Sequence, residues 1–328
     1  MPLPTTSASD RDPREILVIK PSSLGDVVHT LPAVALVKKR WPAARLRWLI
    51  NPEWAPLLAG NPHVDEVVIF PRNELRGLRG LARIPEWAKS VSARPADLVL
   101  DFQGLLRSGL IAKLCRARDG HIVGLSDARE GAGFFYHQKA DVTGIDHAVD
   151  RYLALVAALG IATTPPLEWP LPEGSAPAGF SEAAPFVLLH PFSRGAGKSL
   201  SVGDVTSFCR ALAPFRVVLA GRSEESVPPA DNVENLLNRT TLPELIWLIR
   251  RAAFTVSVDS GPMHIAAALT PRLLSIHTWS DPRKVGPYRP EAWILKDGKL
   301  SRASRSKGEV EQPAADVAAV AHFVGAQL

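Results

Sequence analysis

Asp26 stands where a carboxylate could accept a proton, because it follows an apolar strand-like run and begins a helical pattern. Ser22, Ser23 and Gly25 precede it, and we expect Gly25 to permit a tight turn between strand and helix. The positive end of the helix favours the ionised form of such a carboxylate, whereas a dry surrounding opposes it. Asp26 could then take a proton from an incoming hydroxyl, although helix capping alone would explain the same residues.

A second strand-to-helix junction, at residues 257–264, has the small residues typical of a phosphate site. Asp259, Ser260 and Gly261 come directly before a proline in the first helical turn. The backbone N–H groups there are unblocked by side chains, and the helix dipole favours an anion, so a diphosphate fits. Plain capping explains the same pattern, and His264 could equally be a packed structural histidine.

The glycine-rich segment 190–199 suggests a P-loop, but Phe192 stands where that motif requires its first glycine. The arch that wraps the phosphates is therefore incomplete, which argues strongly against a P-loop nucleotidase. Ser193, Arg194 and Lys198 remain in a loop after a predicted strand, where they could hold a leaving diphosphate.

Two acidic residues, Glu224 and Glu225, come just past the next predicted strand. A carboxylate at that position often contacts a ribose hydroxyl in Rossmann-like folds. Either residue could equally be an acid in the first turn of a helix.

A basic segment runs from Arg72 to Arg94, with six cations against two acids. Arg76, Arg79 and Arg83 are three and four residues apart, so they would share one face of a helix. This face would form a basic ridge, although a solvated helix flank has the same composition.

Composition and charge exclude several classes of protein. The 328 residues are 46% hydrophobic and 22% charged, which indicates about two folded domains rather than a disordered chain. The net charge of +5 favours an anionic partner, but the cations are not interleaved with aromatic residues as in base-stacking nucleic-acid proteins. Cys115 and Cys209 are too few for a disulfide scaffold or a cysteine-based zinc site.

Sequence motifs of other enzyme classes are missing. The sequence has no His-Glu-x-x-His pair, no Gly-x-Ser-x-Gly elbow and no Gly-x-Gly-x-x-Gly after its first strand. These absences argue against metal catalysis, a serine hydrolase and a dehydrogenase. No apolar run is long enough to span a membrane, and the polar start does not resemble a secretory signal.

Strand-like and helix-like runs alternate along the chain, which predicts an α/β fold with parallel sheets covered on both faces. In the first half we predict strands over 45–50 and 96–101, and helices over 27–40, 54–60, 105–115 and 145–159. In the second half we predict strands over 186–190, 254–258 and 273–277. We expect a disordered N-terminus at 1–14, a Rossmann-like domain at 15–164, a proline-rich linker at 165–185 and a second Rossmann-like domain at 186–328. Ligands are expected at the carboxyl ends of the strands, in the cleft between the domains.

Three segments of the chain resemble the motifs of glycosyltransferase family 9, the ADP-heptose:lipopolysaccharide heptosyltransferases. They are residues 16–32, residues 101–105 and residues 256–269. The first and third are specific when they occur together, in this order and at this separation. The resemblance covers about residues 15 to 300 and implies a GT-B fold of two facing Rossmann-like domains, with the acceptor held by the first and the nucleotide sugar by the second.

The resemblance also implies roles for individual residues. It makes Asp26 the general base of an inverting displacement and Lys198 a ligand of the donor diphosphate, so that both are catalytic. The other donor contacts implied or suggested are Ser193, Arg194, Glu224, Glu225, Thr240, Asp259, Ser260, Gly261 and His264. The acceptor side would comprise Lys20, Ser22, Ser23, Gly25, Arg72, Arg76, Arg129 and Arg151. The donor loop is richer in glycine than the family pattern, and residues 276–282 are bulkier, which affects the expected sugar selectivity.

The implied reaction moves a heptose from ADP-heptose to a sugar hydroxyl of the lipopolysaccharide inner core, on a Kdo or heptose acceptor carried by lipid A. No metal or other cofactor is expected. The resemblance implies a cytoplasmic protein, bound peripherally to the inner face of the membrane, without a nucleic-acid partner and monomeric. Three alternatives remain: a non-catalytic nucleotide-sugar binder, a family-9 transferase of another nucleotide sugar, and a kinase that depends on Lys198 and magnesium.

Overall fold

The computed structural model describes residues 12–164, 166–195, 197–303, 312–313 and 316–328, which form two compact units. The first unit ends at Pro170 and the second begins at Leu171. Most of the predicted disordered N-terminus lies outside the described residues. The predicted linker, 165–185, contains the boundary between the units, and its own limits stay a prediction.

The first unit contains a six-stranded sheet in the order β3-β2-β1-β4-β5-β6, with every pair parallel. This order puts β1 beside β4 at the centre, so the chain reverses its direction of winding between them. The strands are β1 (Glu15–Ile19), β2 (Arg45–Ile50), β3 (Glu66–Ile69), β4 (Ala96–Asp101), β5 (Arg116–Leu125) and β6 (Gln138–Ala140).

Helices connect these parallel strands. They are α1 (Leu24–Arg40), α2 (Gly77–Leu81), α3 (Ile84–Ser92), α4 (Leu106–Cys115) and α5 (Ala148–Ala157), with short 3₁₀ helices at Ala55–Leu58 and Ala132–Phe135. Helix α1 contains Pro32 and remains continuous through it. Residues 16–19 of β1, 46–50 of β2, 98–101 of β4 and 122–125 of β5 are buried and mostly apolar, as expected for a parallel sheet with both faces covered.

The second unit contains an eight-stranded sheet in the order β14-β13-β12-β11-β10-β7-β8-β9. Its strands are β7 (Phe186–His190), β8 (Arg216–Leu219), β9 (Val233–Asn235), β10 (Phe254–Val258), β11 (Leu273–His277), β12 (Trp293–Lys296), β13 (Lys299–Arg302) and β14 (Gln312–Pro313). Only the pairs β12–β13 and β13–β14 are antiparallel. Its helices are α6 (Val202–Ala211), α7 (Leu242–Arg251), α8 (Gly261–Leu269), α9 (Pro282–Val285) and α10 (Val317–Gly325).

The predicted α/β architecture is confirmed, with three local corrections. Helix α1 begins at Leu24, so Gly25 lies inside the helix and the prediction that it forms the turn is wrong. The helix predicted over 54–60 is a short 3₁₀ helix. The basic segment forms two helices, and since Arg76 and Arg83 are their N-cap residues, the prediction of one continuous basic helical face is wrong. The side chain of Arg79 lies outside the described residues.

Candidate active site

Asp26 lies in the first turn of α1, just beyond the carboxyl end of β1. Its Oδ2 accepts hydrogen bonds from the backbone N and the hydroxyl of Ser23, at 3.0 and 2.7 Å. Ser23 is the N-cap residue of α1 and Asp26 the third residue of the helix, so these bonds form a capping arrangement. Capping therefore occupies Oδ2 of Asp26, and the second carboxylate oxygen, Oδ1, is not part of the cap.

Two buried side chains meet Oδ1 of Asp26. The hydroxyl of Tyr152, on α5, donates to it at 3.1 Å. The ammonium of Lys20, which directly follows β1, lies 3.8 Å from the same oxygen and donates to the carbonyl of Phe102 at 3.2 Å. The side chain of Asp26 is 37% exposed, whereas that of Lys20 is 5% exposed. Of Asp26, Lys20 and Tyr152, only Asp26 has a side chain that a substrate can reach.

The pKa values of this group follow from its contacts. Burial would raise the pKa of Asp26, but the charge of Lys20 and the hydrogen bonds from Ser23 and Tyr152 outweigh burial and hold that pKa below its usual range. Burial and the adjacent carboxylate raise the pKa of Tyr152 well above its usual value, so its hydroxyl remains a donor. Burial lowers the pKa of Lys20, although Asp26 and Asp101 oppose this shift. Asp26 is therefore ionised at neutral pH and able to accept a proton.

A cavity of about 200 Å³ lies at the same edge of the sheet. Asn51 and Gln103 line it, and their side-chain oxygens Oδ1 and Oε1 are buried and have no hydrogen-bond partner within the described residues. Its lining residues are Ile19, Pro21, Ser22, Asn51, Phe70, Arg72, Gln103, Leu105, Arg107, Ser108, Ile111 and Glu130. Two acceptor oxygens and two guanidinium groups could together bind a molecule that carries both hydroxyls and negative charge.

The remaining residues predicted for the acceptor are dispersed over the first unit. Arg76 is exposed at the start of α2. Arg129 is exposed, and its charge contributes to the lowered pKa of Lys20, which places it near Lys20. Arg151, on α5, forms an ion pair with Asp127. The structure thus brings Ser22 and Arg72 to the cavity and keeps Arg76 out of its lining.

In the second unit, Lys198 and Asp259 form the centre of the candidate donor site. The ammonium of Lys198 donates to Oδ2 of Asp259 at 2.7 Å, with side-chain exposures of 25% and 7%. Burial would raise the pKa of Asp259, but hydrogen bonds from Lys198 and Ser280 outweigh it and lower the pKa. Asp259 therefore stays charged and holds the lysine.

The start of α8 adds backbone donors to the same place. Ser260 is the N-cap residue of α8 and Gly261 its first residue. Pro262 has no N–H and Met263 donates to the carbonyl of Ser260 at 3.1 Å, which leaves the N–H groups of Ser260 and Gly261 outside the hydrogen bonds of the helix. The hydroxyl of Ser193 donates to the carbonyl of Asp259 at 3.3 Å, which joins the loop after β7 to the loop after β10. His264 is buried within α8. Lys198, Ser193 and the helix start are thus brought together as predicted.

A second cavity, of about 820 Å³, adjoins the loop after β7. It is lined by Phe192, Ser193, Arg194, Ser199, Leu200, Ser201, Val202, Arg222, Ser223, Glu224, Glu225 and Asn238. Glu224 and Glu225 lie in a loop that continues to β9 without forming a helix, so the alternative that they belong to a first helical turn is wrong. Thr240 is buried, and its carbonyl accepts a hydrogen bond from Arg222.

Comparison with known proteins decides which family has these features. The family model of glycosyltransferase family 9 (heptosyltransferase) matches residues 85–315, which is well over half of the chain. The chain belongs to glycosyltransferase family 9. It is therefore a glycosyltransferase, and the resemblance of the sequence to this family is confirmed, with the second and third segments inside the matched range.

Relatives and solved structures agree with this family 9 assignment. Lipopolysaccharide heptosyltransferase 1 of Pseudomonas aeruginosa is 28% identical over 298 residues, covering 83% of this chain and 81% of its own length. Lipopolysaccharide heptosyltransferase 1 of Salmonella typhimurium is 27% identical over 299 residues, covering 83% and 91%. The Escherichia coli heptosyltransferase WaaC, solved with ADP, aligns with a TM-score of 0.76 at 22% identity, over 96% of this chain and all of WaaC. The fold is GT-B.

Three residues at the candidate sites of this chain were not predicted from sequence. Tyr152 lies on α5, and only its contact with Asp26 distinguishes it from a core tyrosine. Arg222 lines the larger cavity from the loop after β8. Trp279 is 64% exposed, and the ammonium of Lys198 lies 5.2 Å from its ring centre. The bulky segment 276–282 was a signal for Trp279, which lies two positions after the end of β11.

Two general properties of the described residues accompany these sites. Within the ranges that the structure covers, no group of three or more His, Cys, Asp or Glu side chains is arranged to hold a metal ion. In the same ranges, none of the helices combines the length and apolar composition needed to cross a bilayer.

Proposed function

We propose that this enzyme transfers a heptose from ADP-heptose to a sugar hydroxyl of the lipopolysaccharide inner core, with inversion at the anomeric carbon. The acceptor oxygen attacks that carbon, its proton passes to Asp26, and the bond to the diphosphate breaks with its electron pair leaving on ADP. The observation that carries the proposal is the accessible and ionised carboxylate of Asp26 in a family 9 chain.

The surroundings of Asp26 suit a general base. Its charge is maintained by Lys20, while the bond from Ser23 fixes the side chain at the start of α1. Tyr152 shares Oδ1 with Lys20, so these two residues orient the oxygen that we assign as proton acceptor. Because Lys20 is almost fully buried, we assign it to the base rather than to the acceptor, as a positioning residue.

The second unit supplies ligands for the diphosphate. Lys198 offers a positive charge, Ser193 a hydroxyl and the start of α8 its free N–H groups. These donors would stabilise the charge that develops on ADP as the sugar leaves. The larger cavity, with Glu224, Glu225 and Thr240 on or near it, would take the nucleoside, and WaaC with bound ADP shows that a protein of this fold accepts this nucleotide.

The cavity of the first unit would hold the anionic sugar acceptor. Arg72 and Arg107 match carboxylate or phosphate groups, while Asn51 and Gln103 would accept hydrogen bonds from sugar hydroxyls. We further propose that no metal is required, because Lys198 and the start of α8 already supply positive potential where the diphosphate would bind. With a lipid-anchored acceptor, the protein would act as a monomer at the cytoplasmic face of the inner membrane, without nucleic acid.

Product analysis on a water-soluble acceptor tests the proposed reaction. The enzyme is incubated with ADP-heptose and a Kdo-containing core oligosaccharide lacking its acyl chains, in the presence of EDTA, and both ADP and the glycosylated product are measured. We expect stoichiometric ADP and product with inverted anomeric configuration. In Asp26→Asn, which keeps the side-chain shape, turnover should fall by about 10²–10⁴-fold while ADP affinity is unchanged.

Three outcomes would contradict parts of the proposal. Near-normal turnover in Asp26→Asn would show that Asp26 is not the general base. ADP binding without any product from the parent enzyme would favour a non-catalytic nucleotide-sugar binder. Turnover with a different nucleotide sugar but not with ADP-heptose would make the enzyme a family 9 transferase of another donor.

A further inference from the structure

Helix α4 presents an apolar face on the surface of the first unit. Five of its ten residues are exposed, and three of these are leucines: Leu106, Leu110 and Leu114, at 42%, 50% and 44% exposure. They recur every fourth residue, so they lie within about 80° of arc and about 12 Å of helix length. We call these three residues the leucine face. A solvent-facing helix surface is ordinarily polar, and so the leucine face indicates a partner.

The other exposed residues of α4 are both cations. Arg107 and Lys113 lie on either side of the leucine face, since their positions on the helix fall just outside the arc of the leucines. Helix α4 contains no acidic residue. The carboxylate of Glu130 lies at the helix start, where it accepts a hydrogen bond from the backbone N of Leu106 at 3.3 Å. The charge on the flanks of the leucine face is therefore positive.

A neighbouring segment adds an exposed aromatic side chain. The 3₁₀ helix Ala132–Phe135 packs closely on α4, because a Cβ atom at Gly109 would meet the ring of Phe135 at 2.7 Å. The same short helix carries Phe134, which is 93% exposed. Leucines and an aromatic ring flanked by basic side chains are the composition of surfaces that insert shallowly into bilayers.

The position of α4 connects the leucine face with the acceptor cavity. Arg107, Ser108 and Ile111 of α4 line that cavity. Leu106 and Leu110 each directly precede one of these residues and are exposed. A surface bound to the leucine face would thus lie beside the cavity mouth. For an acceptor sugar anchored to lipid, such docking would bring the sugar next to the cavity.

We propose that the leucine face of α4 docks this enzyme on an anionic bilayer surface. The inference rests on the proposed lipid-linked acceptor, and it identifies the part of the enzyme that touches the bilayer. The leucines enter the interface between headgroups and acyl chains, and Lys113 contacts the anionic headgroups, while Arg107 remains with the acceptor cavity. Docking by these residues differs from attraction by the basic segment, because it depends on apolar side chains as well as on charge.

Vesicle flotation with the full chain tests the proposal. We measure how much protein floats with phosphatidylcholine vesicles, with and without phosphatidylglycerol. The proteins are the unmodified enzyme, called the parent, the triple variant Leu106→Gln/Leu110→Gln/Leu114→Gln and the single variant Lys113→Gln. Glutamine keeps helix propensity near that of leucine, so α4 should still form. A matched control, Phe215→Gln/Leu328→Gln, removes two apolar side chains of similar exposure, each 45%, in the second unit.

We expect binding to vesicles that contain phosphatidylglycerol, with a loss of at least about tenfold in the triple variant and a smaller loss in Lys113→Gln and at high salt. The control should bind as the parent does. Transfer to the acyl-free acceptor should be unchanged in the triple variant, while transfer to acceptor embedded in vesicles falls. If the parent fails with both acceptors, the proposed function fails, whereas equal transfer to embedded acceptor by parent and triple variant overturns only the docking.

Two further results would overturn the docking proposal. Vesicle binding that is equal in the parent and the triple variant would assign any membrane contact elsewhere, for example to the basic segment. A concentration-dependent dimer that the triple variant abolishes, together with no vesicle binding by the parent, would show that a second copy of the chain covers the leucine face.

Discussion

Each of the two units contains a lysine–aspartate pair at the carboxyl end of a parallel strand, and the two pairs are arranged in opposite ways. In the first unit Lys20 is buried and Asp26 is exposed to 37%, at 3.8 Å. In the second unit Asp259 is buried and Lys198 is exposed to 25%, at 2.7 Å. The accessible group is thus a carboxylate in one unit and an ammonium in the other.

The opposite burial of lysine and aspartate in the two pairs suits each unit to a different chemical task. A buried charge is costly unless it is paired, and once paired it fixes the charge and position of its partner. A buried lysine therefore maintains an accessible base in the first unit, and a buried aspartate maintains an accessible cation for a diphosphate in the second. The same two residue types perform opposite tasks because of which one is buried.

After the loss of the Asp26 carboxylate, the next largest effect is expected at the accessible cation of the second unit. Lys198→Ala should lower turnover by about 10²–10³-fold and weaken donor binding, because it removes charge from the developing diphosphate anion. Calorimetry with ADP and steady-state kinetics measure the two effects. The double variant Lys198→Ala/Asp259→Asn removes the carboxylate that the single variant leaves unpaired. If the double variant regained parental donor affinity, Lys198 would act only through Asp259 and its assignment would be wrong.

Removal of the buried lysine should change the pH profile of the first unit. Lys20 favours the ionised form of Asp26, so Lys20→Met should raise the pKa of Asp26 and move the acid limb of kcat/KM upward by about 1–3 pH units. Donor affinity should stay constant. Lys38→Met is the matched control, since Lys38 forms a 2.7 Å pair with Asp65 in the same unit but away from Asp26. An equal shift in both variants would contradict the assigned role of Lys20.

A smaller shift in the same direction is expected at Tyr152. Tyr152→Phe removes one hydrogen bond to the Asp26 carboxylate, which is worth about 0.7 pH unit on the acid limb. Tyr136→Phe removes a similar bond to Asp101, at 2.7 Å, and serves as the control. Both variants lose some stability on thermal unfolding, but only Tyr152→Phe should move the kinetic pKa. An unmoved acid limb in Tyr152→Phe would leave Tyr152 with a structural role alone.

The strands and the loops that follow them were largely predictable from sequence, because apolar β-branched runs and small residues mark them directly. The limits of β2, β4, β7, β10 and β11 coincide with the predicted ones. The hairpin between β12 and β13 was missed, although Asp297 and Gly298 between its strands are a strong turn signal and both have positive φ, at 51° and 71°. Short strands with little periodicity, such as β6 and β9, gave no comparable signal.

The candidate sites were predictable only where their residues are neighbours in sequence. Asp26, Lys198 and the turn at Asp259 stood out because each follows a strand. Tyr152 is 126 residues from Asp26, and its contact depends on how α5 packs beside α1. The basic ridge failed for a related reason, since spacing alone does not show where one helix ends and the next begins.

The sequence by itself determined the alternation of strands and helices, the family and the places where polar side chains follow strand ends, because local pattern and chain order fix these properties. The tertiary structure decided which member of each lysine–aspartate pair is buried and which leucines of α4 stay exposed. Burial depends on which distant segments pack around a side chain, and the spacing of residues in the sequence does not show which segments these are.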